Sequence, residues 1–262
     1  MTVKDIVAVL EAFAPLGIQE NWDNSGLVIG RPEDEVHGVL VGFDCTPALI
    51  DEAVEKGCDM VVTHHPLIFR GLKHISADDP VGAAVTRAIR AGVAVYAAHT
   101  TADKVPQGVS GAMARRLGLQ DIQLLLPDAD GATGLGCIGY FPIPMTGTEA
   151  LQYVKEKFGL QLIRSSKPLE TPIEKVALLG GSGGSEADAA RSQGAQLYIT
   201  ADVSYHQFFT PDGFMIMDIG HFESEVEIVP IIVAEIRKKF PNFASYASAM
   251  LDRSNPVHYF VV

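Results

Sequence analysis

The sequence predicts an α/β fold in which parallel strands are covered by helices and the chain divides into two lobes. Three observations predict it. Short apolar runs alternate with amphipathic stretches through the first half of the chain. Those stretches carry helix caps and are long enough to serve as the crossovers that parallel strands require. The 262 residues, 47% hydrophobic and 20% charged, suffice for one large core or two smaller ones.

The elements follow in order. "DIVAVLEAF" sets Ile6, Val9, Leu10 and Phe13 on one helical face. "VHGVLVGFD" (36–44) is a strand run. "CTPALIDEAVEKG" starts a helix with Thr46 as N-cap, Pro47 in the first turn and Gly57 closing it. "DMVVTH" is a second buried strand. "DPVGAAVTRAIRAG" repeats the cap logic with Asp79, Pro80 and Gly92. "VAVYAAH" is a third strand and "GVSGAMARRLG" another helix. "LPDADGATG" (126–134) is a turn-rich join and marks a boundary. "LGCIGYF", "EALQYVKEKFG" and "LQLIRSS" read as β-α-β, and "KPLETPIEKVALLGGSGGS" as a strand with a glycine loop before the helix "EADAARSQG". "QLYIT" and "FMIMDIG" are further strands, and "SEVEIVPIIVAEIRKKF" one long amphipathic helix. The expected division is a lobe of 1–126 with 191–262 and a middle lobe of 127–190.

Composition narrows the function classes. No stretch approaches 18 uncharged apolar residues, so no membrane span is expected. The N-terminus lacks the basic start and small-residue cleavage site of a signal peptide. Cys45, Cys58 and Cys137 are odd in number and lack metal-pair spacing, which fits buried thiols in a reducing, cytoplasmic setting. A net charge of −12 argues against broad electrostatic binding to nucleic acid.

Chemistry-bearing residues collect after strand ends, where open parallel sheets bind ligands. Asp44 ends the first strand. His64 and His65 follow the second, and His99 and then Asp103 follow the third. Asp202 and His206 follow "QLYIT", while His221 and Glu225 follow "FMIMDIG". Five of the eight histidines therefore fall, with four acids, on one expected rim. His64 and His65 stand just past a strand end, so they escape the two-face alternation of strand interiors, and Pro66 biases His65 toward extended backbone. Mixed imidazole and carboxylate donors suit zinc, iron, manganese or nickel. His99 and Asp103 are four apart, as are His221 and Glu225, the spacing that aligns side chains on a helical turn; Glu223 would point away.

"WDNSGLVIG" (22–30), "VVTHHPLIF" (61–69), "HTTAD" (99–103), "YITADVSYH" (198–206) and "DIGHFESE" (218–225) occur in one order that resembles the GTP cyclohydrolase 1 type 2 homologue family, also called the Nif-three-like proteins. The resemblance spans nearly the whole chain, which has the length of the family's short form. It implies a Nif-three-like α/β fold, a dinuclear site holding two divalent metal cations per chain, and a homohexameric ring. Its motifs carry over to His64, His65, Asp103, His221 and Glu225 as metal ligands, with Glu225 bridging. The family does not generally make His99 a ligand, which leaves it a supporting or proton-carrying role. Two departures stand out. Thr101-Ala102 replaces Asn-Leu, and Ala201 replaces Gly. Neither removes a ligand, but both bear on the shape of the pocket.

The remaining motifs have plainer explanations. "LLGGSGGS" (178–185) matches neither the Lys-containing phosphate loop nor the dinucleotide fingerprint and reads as a tight strand-to-helix turn. "NWDNSG" reads as a turn that the resemblance brings near the site. His37, His74 and His258 lack patterned partners. The expected function is a metal-dependent hydrolase of a small molecule. The alternative is a non-catalytic metal-binding or regulatory scaffold that recruits partners, which a closed coordination shell would mark.

Overall fold

The computed structural model describes residues 1–260 and divides the chain into two compact units, each built on its own sheet. The first comprises Met1–Ala102 and Ile228–Pro256. The second comprises Asp103–Glu227 with residues 257–260.

The first unit contains strands β1 (Gly26–Ile29), β2 (Gly38–Gly42), β3 (Met60–Thr63), β4 (Ala94–Ala97) and β11 (Ala244–Ala247) in the order β1-β4-β3-β2-β11. All neighbours are parallel except β1 and β4. Its helices are α1 (Val3–Phe13), α2 (Pro47–Glu55), α3 (Pro80–Ala91) and α9 (Ile228–Lys239); the short α4 (Thr100–Lys104) begins in this unit and ends in the second. Every residue of β2, β3 and β4 is buried, which explains their unbroken apolar runs. Leu40, Ile50, Val61, Val85 and Val95 form the core beneath α2 and α3. The expected caps are present. Thr46 Oγ1 accepts from the Leu49 amide, Asp79 accepts from the Gly82 amide, and Gly92 ends α3 at φ 68°.

The second unit contains β5 (Gln120–Pro127), β6 (Gly134–Met145), β7 (Arg164–Ser165), β8 (Ile173–Ser182), β9 (Leu197–Ala201) and β10 (Met215–Asp218), in the order β5-β6-β8-β9-β10-β7. Helices α5 (Val109–Arg116), α6 (Gly147–Phe158), α7 (Ala187–Ser192) and α8 (His221–Glu225) belong to it. The pairs β8/β9 and β9/β10 are parallel, and the other pairs are antiparallel. Val154, Val176, Leu178, Ile199 and Met217 anchor its core.

Three features differ from the sequence reading. The second unit runs well beyond 127–190, because β9 and β10 hydrogen-bond into its sheet. β5 carries no apolar period, since most of its residues are exposed and only Leu125 is buried. The expected long C-terminal helix is broken between Glu225 and Ile228. Pro230 supplies a reason: its ring would crowd the carbonyl of Val226, and it has no amide to donate back.

Candidate metal centre

The strand ends of the first unit present three imidazoles. His64 and His65 follow β3, and both backbone amides donate to the Phe43 carbonyl beyond β2, at 3.1 and 3.3 Å. That shared acceptor ends the ladder and lets neighbouring side chains turn the same way. His99 follows β4. One ring nitrogen from each of His64, His65 and His99 lies within 4.8 Å of the others, close enough to hold a metal ion.

Their tautomers follow from their partners. His64 Nδ1 lies 2.9 Å from the Ala98 carbonyl, which can only accept, so Nδ1 carries the proton and Nε2 the lone pair. His65 Nδ1 donates to Asp44 Oδ1 at 2.7 Å, and His99 Nδ1 donates to Asp23 Oδ1 at 2.6 Å. Each ring is held at Nδ1 so that Nε2 is the donor atom, the arrangement that orients metal-binding histidines. His64 is fully buried, and Phe43 stacks on its ring at 5.7 Å.

Asp23 organises the surrounding turn. Besides His99 it accepts from Ser25 Oγ at 2.7 Å and from Thr100 Oγ1 at 2.6 Å. Burial alone would raise its carboxyl, but the bonds from His99, Thr100 and Ser25 outweigh burial and hold it well below the usual carboxylate range.

The second unit carries a matching set. His221 opens α8 after β10, and its Nδ1 lies 2.7 Å from Asp202 Oδ2. Its Nε2 lies 2.9 Å from Glu225 Oε2, so one helical turn aims both at the same point. Glu225 is buried, and a carboxylate oxygen of Asp103 lies within 4.8 Å of one of its own. Asp202 holds a left-handed backbone, φ 51°, rare outside glycine and tolerated best by Asp and Asn. Glu223 instead hydrogen-bonds Tyr259.

The glycine loop serves this set. Gly181, at φ 67°, donates its amide to Ser224 Oγ at 2.9 Å. A Cβ there would run into the Glu225 carboxylate, and one at Gly180 into Val109. Close backbone approach, of Gly181 to Glu225 and of Gly180 to Val109, rather than phosphate binding, accounts for these two glycines.

The structure thus gathers His64, His65 and His99 in one unit, and Asp103, His221 and Glu225 in the other. The strands that these residues follow belong to two sheets. His206 joins neither set. It lies on an exposed turn beside Tyr205 and Phe209. Asp44 and Asp202 act through histidine nitrogens. The sequence contained a signal for both: each acid follows one strand, and its histidine follows the neighbouring parallel strand. Asp23 showed no such pairing signal, and only the resemblance brought its "NWDNSG" turn near the site.

A family model described as Duf34/NIF3 (NGG1p interacting factor 3) matches residues 1–256. The chain belongs to this family. Among its relatives is a "GTP cyclohydrolase 1 type 2 homolog" of Clostridium acetobutylicum, 34% identical over 229 residues that cover 86% of this chain and 85% of the relative. Two solved structures share the fold. Protein SA1388 of Staphylococcus aureus is 26% identical with a TM-score of 0.91, and a Bacillus cereus protein related to NIF3 is 23% identical with a TM-score of 0.92. Each alignment covers 99% of both chains. Among the described residues no helix is long and apolar enough to cross a membrane.

Proposed function

We propose that this member of the Duf34/NIF3 family is a metal-dependent hydrolase that holds two divalent first-row cations, zinc, iron, manganese or nickel, through His64, His65, Asp103, His221 and Glu225. One observation carries the reading: His64, His65, His99 and His221 all have Nδ1 engaged by a carbonyl or carboxylate. Exposed His37 makes the same Nδ1 contact with Asp59, so the weight lies in its combination with convergence: one ring nitrogen from each of His64, His65 and His99 falls within 4.8 Å of the others. Imidazole nitrogens mixed with carboxylates form a donor set suited to these ions. When bound, such cations act as Lewis acids on the scissile group and make water more acidic.

The chain's own residues supply the rest. Glu225 would supply negative charge that offsets the repulsion between two bound cations, which a neutral imidazole would not. His99 has Asp23 behind Nδ1 and serves as the proton carrier, receiving a proton at Nε2 while Asp23 stabilises the resulting imidazolium. The names of the relatives point to ring-opening attack on a nucleobase as one candidate reaction. We further propose a closed homo-oligomer, a hexameric ring, working in the reducing cytoplasm. Light scattering that finds a monomer at micromolar concentration rejects the ring.

The deciding experiment is elemental analysis of protein purified without chelators, followed by an activity screen on phosphoesters, nucleotides and cyclic amides with and without chelator. Two metals per chain and chelator-sensitive turnover are expected. A stoichiometry well below one that added metal does not restore refutes the metal reading. Two metals without turnover leave a binding scaffold. Glu225→Gln should lose at least one metal while Glu223→Gln keeps both. His99→Ala should keep most metal and lose most activity.

A further inference from the structure

Two large aromatic side chains stand in solvent beside His99. Trp22 is 59% exposed and Phe69 is 43% exposed. The rings of Trp22, Phe69 and His99 form a triangle with all three centroid separations at 6.0 Å. Their interplanar angles are 64°, 73° and 84°, so no pair stacks face to face. Such edge contacts fix the rings against one another and leave much of Trp22 and Phe69 open to solvent. Both residues also sit on anchored backbone. Asp23, next to Trp22, is tied to Ser25, His99 and Thr100, and Asn24 Nδ2 donates to the Ile68 carbonyl next to Phe69. The aromatic surface is therefore pre-organised, which reduces the entropy lost when a ligand settles on it.

The loop carrying Phe69 has a charge that departs from the rest of the protein. The chain has a formal charge of −12, yet "PLIFRGLKHIS" (66–76) contains no acid and carries Arg70, Lys73 and His74, all exposed. Exposed aromatic faces together with local cations favour a flat ring that bears negative charge.

We propose that Trp22 and Phe69 form a stacking subsite beside His99 for a planar heteroaromatic ligand that carries an anionic group, the chemistry a nucleoside monophosphate presents. The ring stacks on the aromatic faces, and the anionic group lies toward Arg70 and Lys73. The inference rests on the reading of the histidine cluster as the reaction centre, because that reading makes a subsite beside His99 a substrate subsite.

Trp22 is the only tryptophan, so its fluorescence reports on the subsite directly. The experiment titrates zinc-loaded protein with the 5′-monophosphates of adenosine, guanosine, cytidine and uridine. Adenosine and ribose 5-phosphate serve as single-feature controls, and calorimetry runs in parallel. At least one monophosphate should quench Trp22 saturably with a Kd below about 1 mM. Phe69→Leu should weaken that binding by about tenfold or more, while Phe69→Tyr restores it. Arg70→Gln with Lys73→Gln should weaken the monophosphate and leave adenosine unchanged. The proposal is overturned if no monophosphate saturates in that range. It is also overturned if ribose 5-phosphate binds as tightly as the nucleotides, or if Phe69→Leu stays within twofold of the parent. Zinc content measured on the same samples separates the two readings. Nucleotide binding that depends on Phe69 in protein unable to retain zinc sinks the metal centre and leaves the subsite. Full zinc occupancy without nucleotide binding does the reverse.

Discussion

Replacing Gly181 with alanine puts a methyl group 3.0 Å from Glu225 Cδ and closer still to Oε1. Relaxed carbon–carbon contact needs about 3.5–4.0 Å, so the carboxylate has to retreat by about 0.5–1 Å. Glu225 is buried and already aligned on His221 Nε2 at 2.9 Å, so it cannot retreat without losing that alignment. Metal sites tolerate ligand displacements of only about 0.2 Å. Gly181→Ala should therefore lower metal affinity by at least the ten- to hundredfold typical of damaged ligand support. The left-handed backbone at Gly181 adds a folding penalty of about 1–2 kcal/mol. Gly194→Ala separates the two effects. Gly194 has φ 82°, and nothing lies within 4 Å of its added Cβ, so it carries the backbone strain without the clash. Elemental analysis after dialysis, with thermal unfolding of chelated samples, reads both quantities. Both variants should lose stability, Gly181→Ala the more because of the clash, but only Gly181→Ala should lose metal. Equal metal content in the two would refute the role assigned to Gly181.

Other expectations follow from the same geometry. Asp44→Asn and Asp202→Asn keep shape but remove the charge behind His65 and His221, and each should weaken metal binding about ten- to hundredfold by calorimetric titration. Asp23 is held below its ordinary value of 3.8 in the folded protein, so its stabilising effect is full above that value and is lost as pH falls below it. Denaturation of chelated protein across that range should show acid sensitivity in the parent that is reduced in Asp23→Asn. Burial pushes Cys45 up to about 12 and Cys58 and Cys137 up to about 11. Iodoacetamide at pH 8 should therefore leave native protein unmodified by mass spectrometry and alkylate all three thiols after denaturation.

Much of this site was legible before any coordinates, for a physical reason. Strand ends and helix caps are local. Thr46, Asp79 and Gly92 announce their helices within a few residues, and histidines past apolar runs announce themselves as rim groups. What stayed hidden depends on long-range pairing. Asp23 meets His99 only because β1 lies antiparallel beside β4. Gly181 is needed because β8 passes against α8, and the glycine loop looks like an ordinary turn until that packing is known. The division between units was misplaced for the same kind of reason: β9 and β10 are apolar runs whose sheet is decided by partners distant in sequence. The two departures at Thr101-Ala102 and Ala201 are all buried, and the structure gives no account of why this chain differs there.

The pairing of Asp44 with His65 and of Asp202 with His221 has a consequence for how the centre would fail. In both units the acid follows one strand and the histidine the next, β2 beside β3 and β9 beside β10, so each ring's tilt is inherited from a hydrogen-bonded ladder. The aiming device is thus the last rung of a sheet, the place where ladders fray first. Heat or mild denaturant that loosens only those rungs would let the imidazoles swing before either core opens. Ion release would then be an early gauge of strand-end fraying, running ahead of any signal from the buried interior.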